Sequence, residues 1–300
     1  MNVKYIILNA FCFLIVSNSA FAQLNILNAR TPEEIGLKTE DQLANDHDEP
    51  LPYGFVDDRD VLWSKTTWEI IDLDERINFP LYFPVDTNNI GVERRSLYDV
   101  LIKNIKNKNI EEVYADSYFT EKRTLNDIEA SLVYSDTTDL GIEQFNAGEA
   151  IDPQYIRKFT LDAADIAEWR IRGYWYLDKR SGELNYRLLG IAPVANEARS
   201  KAFPDDASDT KVELFWVWYP SAREALHKAK AFNRENTSRP ISFDHILNSR
   251  RFNSVIYRED NDLGDRTIDE YIADNALMQL LESERIKESI RNIEIDMWNY

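Results

Sequence analysis

Cysteine is almost missing from this chain: Cys12 is the only one in 300 residues. It sits in an apolar N-terminal run, Tyr5 to Val16, which follows Lys4 and is interrupted only by Asn9. The run leads into Ser17-Asn18-Ser19-Ala20-Phe21-Ala22, whose small-x-small close, Ala20-Phe21-Ala22, is what a signal peptidase reads. About a dozen apolar residues fall short of the roughly 20 that span a bilayer as a helix. Residues 1–22 are therefore expected to be a signal peptide rather than an uncleaved anchor, cut after Ala22 to leave Gln23 first. Cys12 lies behind bulky Phe11, which does not fit a lipoprotein signal. The exported chain then has no cysteine, and that excludes disulfides, a thiol nucleophile, an iron–sulfur cluster and a thiolate zinc site.

Histidine and glycine are scarce too. The three histidines are His47, His227 and His245, and no pair has an i, i+4 or other metal-binding spacing, so they read as core or surface residues. Nine glycines leave little for phosphate-cradling turns, and neither a Gly-x-x-x-x-Gly-Lys-Ser/Thr loop nor a Gly-x-Ser-x-Gly elbow is present. No cofactor is implied, and the reading is of a protein that is not an enzyme. Acidic pairs such as Asp72 with Asp74 or Glu75 read as a solvated edge rather than a glycosidase pair. Asp260 to Asp265 carries only a fragment of a calcium loop and reads as a turn.

Positive charge is also in deficit. The 35 basic and 53 acidic residues leave a net charge of −18, and losing Lys4 with the signal makes it −19. Such a chain is repelled by phosphate backbones, so nucleic acid is not a partner. Stability has to come from packing, for which 44% hydrophobic and 12% aromatic residues suffice.

Those apolar residues are unevenly placed. From Thr31 to Asp60 ten acids face only Lys38 and Arg59, so residues 23–60 read as a flexible acidic lead-in. Order is expected from Val61. Phe79-Pro80-Leu81-Tyr82-Phe83-Pro84 reads as an edge strand between prolines. Ser96 caps a helix with Leu97, Val100, Leu101 and Ile105 on one face, and Leu125, Ile128 and Leu132 mark another. Residues 135–153, with Gly141, Gly148 and Pro153, read as a loop and as the seam between an N-terminal half (61–150) and a C-terminal half (151–300).

The second half carries the clearest strand signal. Ala167 to Asp178 alternates, Lys179 to Glu183 turns, and Leu184 returns to a strand ended by Pro193. Leu214 to Tyr219 is apolar on both faces and belongs inside a sheet. A helix from Ala222 to about Phe232 follows. Thr267-Ile268-Asp269-Glu270 is a capping box opening a C-terminal helix through Leu281, with Glu282 to Trp298 continuing or restarting it. The fold class is α+β: an aromatic-rich antiparallel sheet with flanking helices. Leu81-Tyr-Phe-Pro84 echoes Val217-Trp-Tyr-Pro220, and Thr124 to Ile128 echoes Ser242 to Ile246. A duplicated unit would explain this and so would coincidence, since no fixed period holds.

Two features point to contacts. Trp175, Trp216 and Trp218 would either pack a sheet core or line a groove for glycan or peptide. Ser221 to Arg258 is +5 while Glu259 to Tyr300 is −8. That basic segment suits self-association or an acidic neighbour, with Arg234, Arg239, Arg250 and Arg251 as candidate partner-binding residues. A solvated face, or intramolecular pairing of Arg250 and Arg251, is the plainer alternative.

Several stretches resemble the GldN family, called PorN in the secretion literature. They are Val61-Leu-Trp-Ser-Lys65, Ile71-Asp-Leu-Asp-Glu-Arg-Ile-Asn-Phe-Pro80, Leu81-Tyr-Phe-Pro84, Ser96-Leu-Tyr-Asp-Val100 and Leu188-Leu-Gly-Ile-Ala-Pro193. Further matches are Leu214-Phe-Trp-Val-Trp-Tyr-Pro220, Phe232-Asn-Arg234, Arg250-Arg-Phe-Asn-Ser254 and Asp296-Met-Trp298. The resemblance implies a periplasmic subunit of the type IX secretion and gliding machinery. Such a subunit forms a ring with a GldK-like outer-membrane lipoprotein and receives force through a GldM-like motor component. It implies no catalytic residues and transfers no binding residues.

Overall fold

The computed structural model describes residue 31 and residues 48–86, 94–203, 210–233, 236, 240–262 and 264–298. The expected cleavage site at Ala22 and Gln23, most of the acidic lead-in, Arg234 and Arg239 lie outside the described residues. Residues 50–300 form one unit by their internal contacts.

Among the described residues the strands are β1 (Val61–Asp72), β2 (Val113–Tyr114), β3 (Val133–Thr137), β4 (Ile156–Thr160), β5 (Ile166–Asp178), β6 (Glu183–Asn196), β7 (Lys211–Glu213), β8 (Trp216–Trp218), β9 (Lys230–Ala231), β10 (Ile241–Ser242) and β11 (Val255–Glu259). The helices are α1 (Phe79–Tyr82), α2 (Leu97–Lys106), α3 (Leu125–Leu132), α4 (Asp139–Asn146), α5 (Ala198–Ala202), α6 (Tyr219–Lys228), α7 (Phe243–Asn248), α8 (Ile268–Tyr271) and α9 (Ala276–Trp298). The class is α+β, as the sequence implies.

A seven-stranded antiparallel sheet, ordered β11-β1-β5-β6-β8-β2 with β7 also on β6, is the frame. β5 and β6 form the alternating hairpin anticipated above, turned at Lys179–Gly182 with Gly182 at φ +66. β1 runs between β5 and β11, so the sheet draws strands from both sides of the 135–153 segment. β8 lies inside the sheet, between β6 and β2.

Alternation decides what covers each face. Ile71, Trp169, Ile171, Leu188 and Ile191 point to one side and pack under α2, α6 and α7 through Leu97, Leu101, Leu226 and Phe243. Trp68, Ala192 and Trp216 point to the other, under Phe119 and Tyr257. Each fully buried large apolar side chain contributes roughly 1.5–3 kcal/mol, so these clusters supply the stability that no disulfide can. A separate cluster of Ile256, Ile268, Ile286 and Ile290 docks α9 on the sheet edge.

The structure corrects several local expectations. Phe79–Tyr82 is a helical turn, not a strand, because Pro80 falls in the first turn, where no N–H is needed. Buried Asn78 holds that turn: its Nδ2 donates to the Asp72 carbonyl at 2.7 Å, and Asn253 N donates to its Oδ1 at 2.9 Å. Residues 135–153 are not one loop but contain the end of β3 and helix α4. Gly141 serves that helix as a contact point, since a Cβ there would meet Thr137 Cγ2 at 2.7 Å.

Pro193 does not end β6, which continues to Asn196. Its carbonyl accepts from Leu214 N at 3.0 Å, so its missing N–H also faces the gap between β7 and β8 and leaves the β5 ladder intact. α6 starts earlier and ends sooner than expected, with Pro220 at its start and β9 taking Lys230 and Ala231. The C-terminal helix is interrupted between Tyr271 and Ala276, then runs unbroken for 23 residues. Order also begins before Val61: Tyr53 lies between the guanidinium groups of Arg187 (4.7 Å) and Arg223 (4.1 Å), and its OH donates to Asn248 Oδ1 at 2.7 Å.

Candidate functional site

α1, α7 and the β9–β10 pair meet around an open groove of roughly 610 Å³. Its walls are Ile77, Phe79, Phe83 and Phe232, with Ile241 and Ile246 behind them. The first four are large apolar side chains left substantially exposed, Ile77 most of all at 57%. Phe79 and Phe83, four residues apart, stack edge to face at 5.3 Å. An apolar concavity of this kind, rimmed by polar groups, is what a binding surface looks like.

The rim is cationic. Arg76 and Arg251 line the groove itself, and the Arg94 guanidinium lies 4.5 Å above the Phe232 ring. Among the described residues none of these three arginines has a carboxylate within ion-pairing distance. Among the described residues this places three uncompensated cations on one face of a chain whose net charge is −18.

The groove wall is held from behind by a buried polar network. Asp244 on α7 accepts from Arg223 Nε at 2.9 Å, from Tyr219 OH at 2.8 Å and from Asn248 Nδ2 at 2.8 Å. Burial, with the Asp244 carboxylate alongside, pushes the Tyr219 phenol well above its ordinary value. Burial likewise pushes Tyr53 up to about 12. Both phenols therefore stay protonated donors through neutral pH.

Arg250 and Arg251 are neighbours with different fates. They follow the end of α7, where Arg250 takes φ +50 and its N–H donates to the Leu247 carbonyl while Arg251 N donates to that of Ile246. This is the Schellman ending, normally built on glycine. It turns Arg250 inward onto Glu69 of β1, with Nη2 2.6 Å from Oε2 and Nη1 3.2 Å from Oε1. Glu69 is wholly buried, and its carboxylate also accepts from Thr67 Oγ1 at 3.2 Å and Ser254 Oγ at 2.5 Å. Arg251 is turned outward to the groove. Of the arginines singled out in the sequence, Arg250 is thus committed inside its own chain and Arg251 is available.

The tryptophans divide similarly. Trp68, Trp169 and Trp216 are enclosed in the core, while Trp175 and Trp218 are half-buried, so the described residues present no row of exposed indoles. His245 is exposed and His227 half-buried. Among the described residues no three His, Cys, Asp or Glu side chains come together as a metal site. No helix among them is long and apolar enough to cross a membrane. Sequence reasoning missed Ile77, Phe79, Phe83 and Phe232 as surface residues: it read Phe79 and Phe83 as parts of an edge strand and Phe232 as the end of a helix. The available signal was Arg76 directly before Ile77.

Over residues 56–299 the chain matches a family of gliding-motility-associated proteins. That family is gliding motility associated protein GldN, and since the match takes in well over half of the chain, the chain belongs to the GldN family. No curated protein matches it at a significant level.

Proposed function

We propose that this protein is a non-catalytic structural subunit of the type IX secretion and gliding machinery in the periplasm. It acts there by contact, joining a GldK-like outer-membrane lipoprotein and further copies of itself in a ring that a GldM-like component couples to the inner-membrane motor. Membership of the GldN family over residues 56–299 is the observation that carries this reading. The cation-rimmed groove supports it, because a strongly acidic chain that gathers unpaired arginines around exposed aromatic rings is equipped to hold an acidic protein surface. Cleavage after Ala22 delivers the chain to that compartment, and the partner lipoprotein retains it at the outer membrane.

A gentle pull-down of the exported protein from its own cells tests the proposal. Recovery of a lipoprotein and of further copies of the chain in one large particle is expected. Recovery of a monomer without a lipoprotein would overturn the ring assignment.

A further inference from the structure

The cation-rimmed groove has a counterpart elsewhere on the same chain. α9 buries Ser283, Ile286 and Ile290 against the sheet edge. Half a turn round the helix, Leu277, Leu280 and Leu281 face outward, with Leu277 at 66% and Leu281 at 54% exposure. Glu284 and Glu288 continue that outer stripe at the next turns. A solvent-facing stripe of leucines at i, i+3 and i+4 is the pattern by which an amphipathic helix enters an apolar groove. This helix therefore has a largely apolar sheet-facing side that is covered and, over its first two turns, an apolar outer side that is not.

The two surfaces are opposite in both shape and charge. One is concave, aromatic and bordered by Arg76, Arg94 and Arg251. The other is convex, aliphatic and bordered mainly by acids: Asp274 before the leucines and Glu284 and Glu288 after them, while Arg285, one turn beyond Leu281, is paired to Glu282 of its own helix at 2.5 Å. Among the described residues Asp274 and Glu288 make no ion pair, and Glu284 pairs only with Lys287 on its own helix, at 2.9 Å. Both surfaces are exposed in the same chain, so neither covers the other.

We infer that the outer face of α9 on one copy docks into the cation-rimmed groove of the next copy. Leu277, Leu280 and Leu281 meet Ile77, Phe79, Phe83 and Phe232, and the flanking carboxylates of α9 meet the arginine rim. The contact is heterologous: each copy uses its helix on one neighbour and its groove on the other. Repetition of such a contact closes into a ring when the rotation per step allows it and otherwise runs on as a filament. The inference rests on the self-assembly proposed above and specifies its contact.

Because Cys12 is the only cysteine, introduced thiols report this contact without background in a full-length Cys12→Ser chain. Two differently tagged forms, one with Leu281→Cys and one with Ile77→Cys, are produced together in the native cells and oxidised. A disulfide dimer containing both tags is expected, with little dimer from either form alone, and a chain carrying both substitutions should give a ladder of multimers. Equal dimer from one form alone would mean a two-fold contact and would overturn the inference. Self-association of the Cys12→Ser chain without any mixed disulfide would overturn the helix-in-groove contact while leaving ring formation standing. A chain that never self-associates would remove both. As a second measure, Leu277→Glu with Leu281→Glu should weaken self-association by at least about tenfold, the change expected when even one buried leucine is lost. Its thermal unfolding should match the parent, since neither side chain is in the core; unaltered association of that folded variant would also overturn the contact.

Discussion

Arg250 Nη2 lies 2.6 Å from Glu69 Oε2, across 181 residues of sequence. The pair joins the end of α7 to strand β1 and fixes a backbone turn that a glycine would adopt with less strain. Removing the arginine alone leaves a wholly buried carboxylate without its cation. Arg250→Ala is expected to lower unfolding free energy by about 3–5 kcal/mol in urea titrations, the usual cost of breaking a buried pair. Arg251→Ala, one residue on, should change it by less than about 0.5 kcal/mol, as exposed sites do. Equal effects at the two positions would show that the Glu69 contact does not matter for stability.

Arg251 belongs to the groove rim, and its reversal tests assembly separately from folding. Arg251→Glu combined with Arg76→Glu should leave the unfolding midpoint close to that of the parent and reduce association with further copies or the lipoprotein. Added salt should weaken the parent's association less than this double reversal does. At physiological ionic strength the screening length for exposed charges is about 8 Å and it shortens as salt is added, whereas a desolvated aromatic contact is spared. Analytical ultracentrifugation of both forms at low and high salt decides it. Normal assembly of the folded variant would place the interface elsewhere.

Stability should fall on the alkaline side. Burial pushes Tyr53 from its ordinary 10.0 to about 12, and raises Tyr98, Tyr186 and Tyr219 in the same direction. For these phenols the native fold holds protons that the unfolded chain releases, so the native state binds more protons above the ordinary value. Their contribution is complete below pH 10.0 and is lost as pH rises towards the raised values, about 12 for Tyr53. Melting temperature should be flat through neutral pH and decline above that point, with phenolate absorbance of the buried tyrosines appearing together with unfolding. Early phenolate signal from all tyrosines in a folded protein would contradict the assignment.

Gly173 in β5 sits beneath the Tyr186 ring of β6. A Cβ at this position would come within 2.1 Å of the Tyr186 hydroxyl. Tyr186 is pinned in turn by Trp175, 4.8 Å away, and by the Arg250 guanidinium at 4.3 Å, so it has little room to retreat. Gly173→Ala should therefore destabilise by about 1–3 kcal/mol through overpacking. Exposed Gly54, where a Cβ meets nothing, should tolerate the same change. A neutral Gly173→Ala in denaturant titration would show that the tyrosine moves freely.

Sequence by itself determined the elements whose causes are local. Ser96 caps α2 by accepting from Asp99 N at 3.2 Å, and the alternating runs of β5 and β6 pair around a turn closed by Gly182. Glu270 reaches back to Thr267 N at 3.1 Å, completing the capping box that opens α8. Each signal lies within a few residues of its effect, so periodicity and capping chemistry are sufficient. The acidic balance was equally legible. Tertiary structure alone decided the rest. Phe79–Tyr82 has the composition of a strand; Pro80 is compatible with a helical first turn as well, and Asn78, held by Asn253 175 residues away, fixes the turn in place. Arg250 and Arg251 are chemically identical in sequence, and only the left-handed turn after α7, with Glu69 waiting in β1, sends one inward and leaves the other at the groove. The groove has the same origin: its aromatic walls come from segments near residues 80 and 232, and the long-range packing that joins them also leaves their rings uncovered.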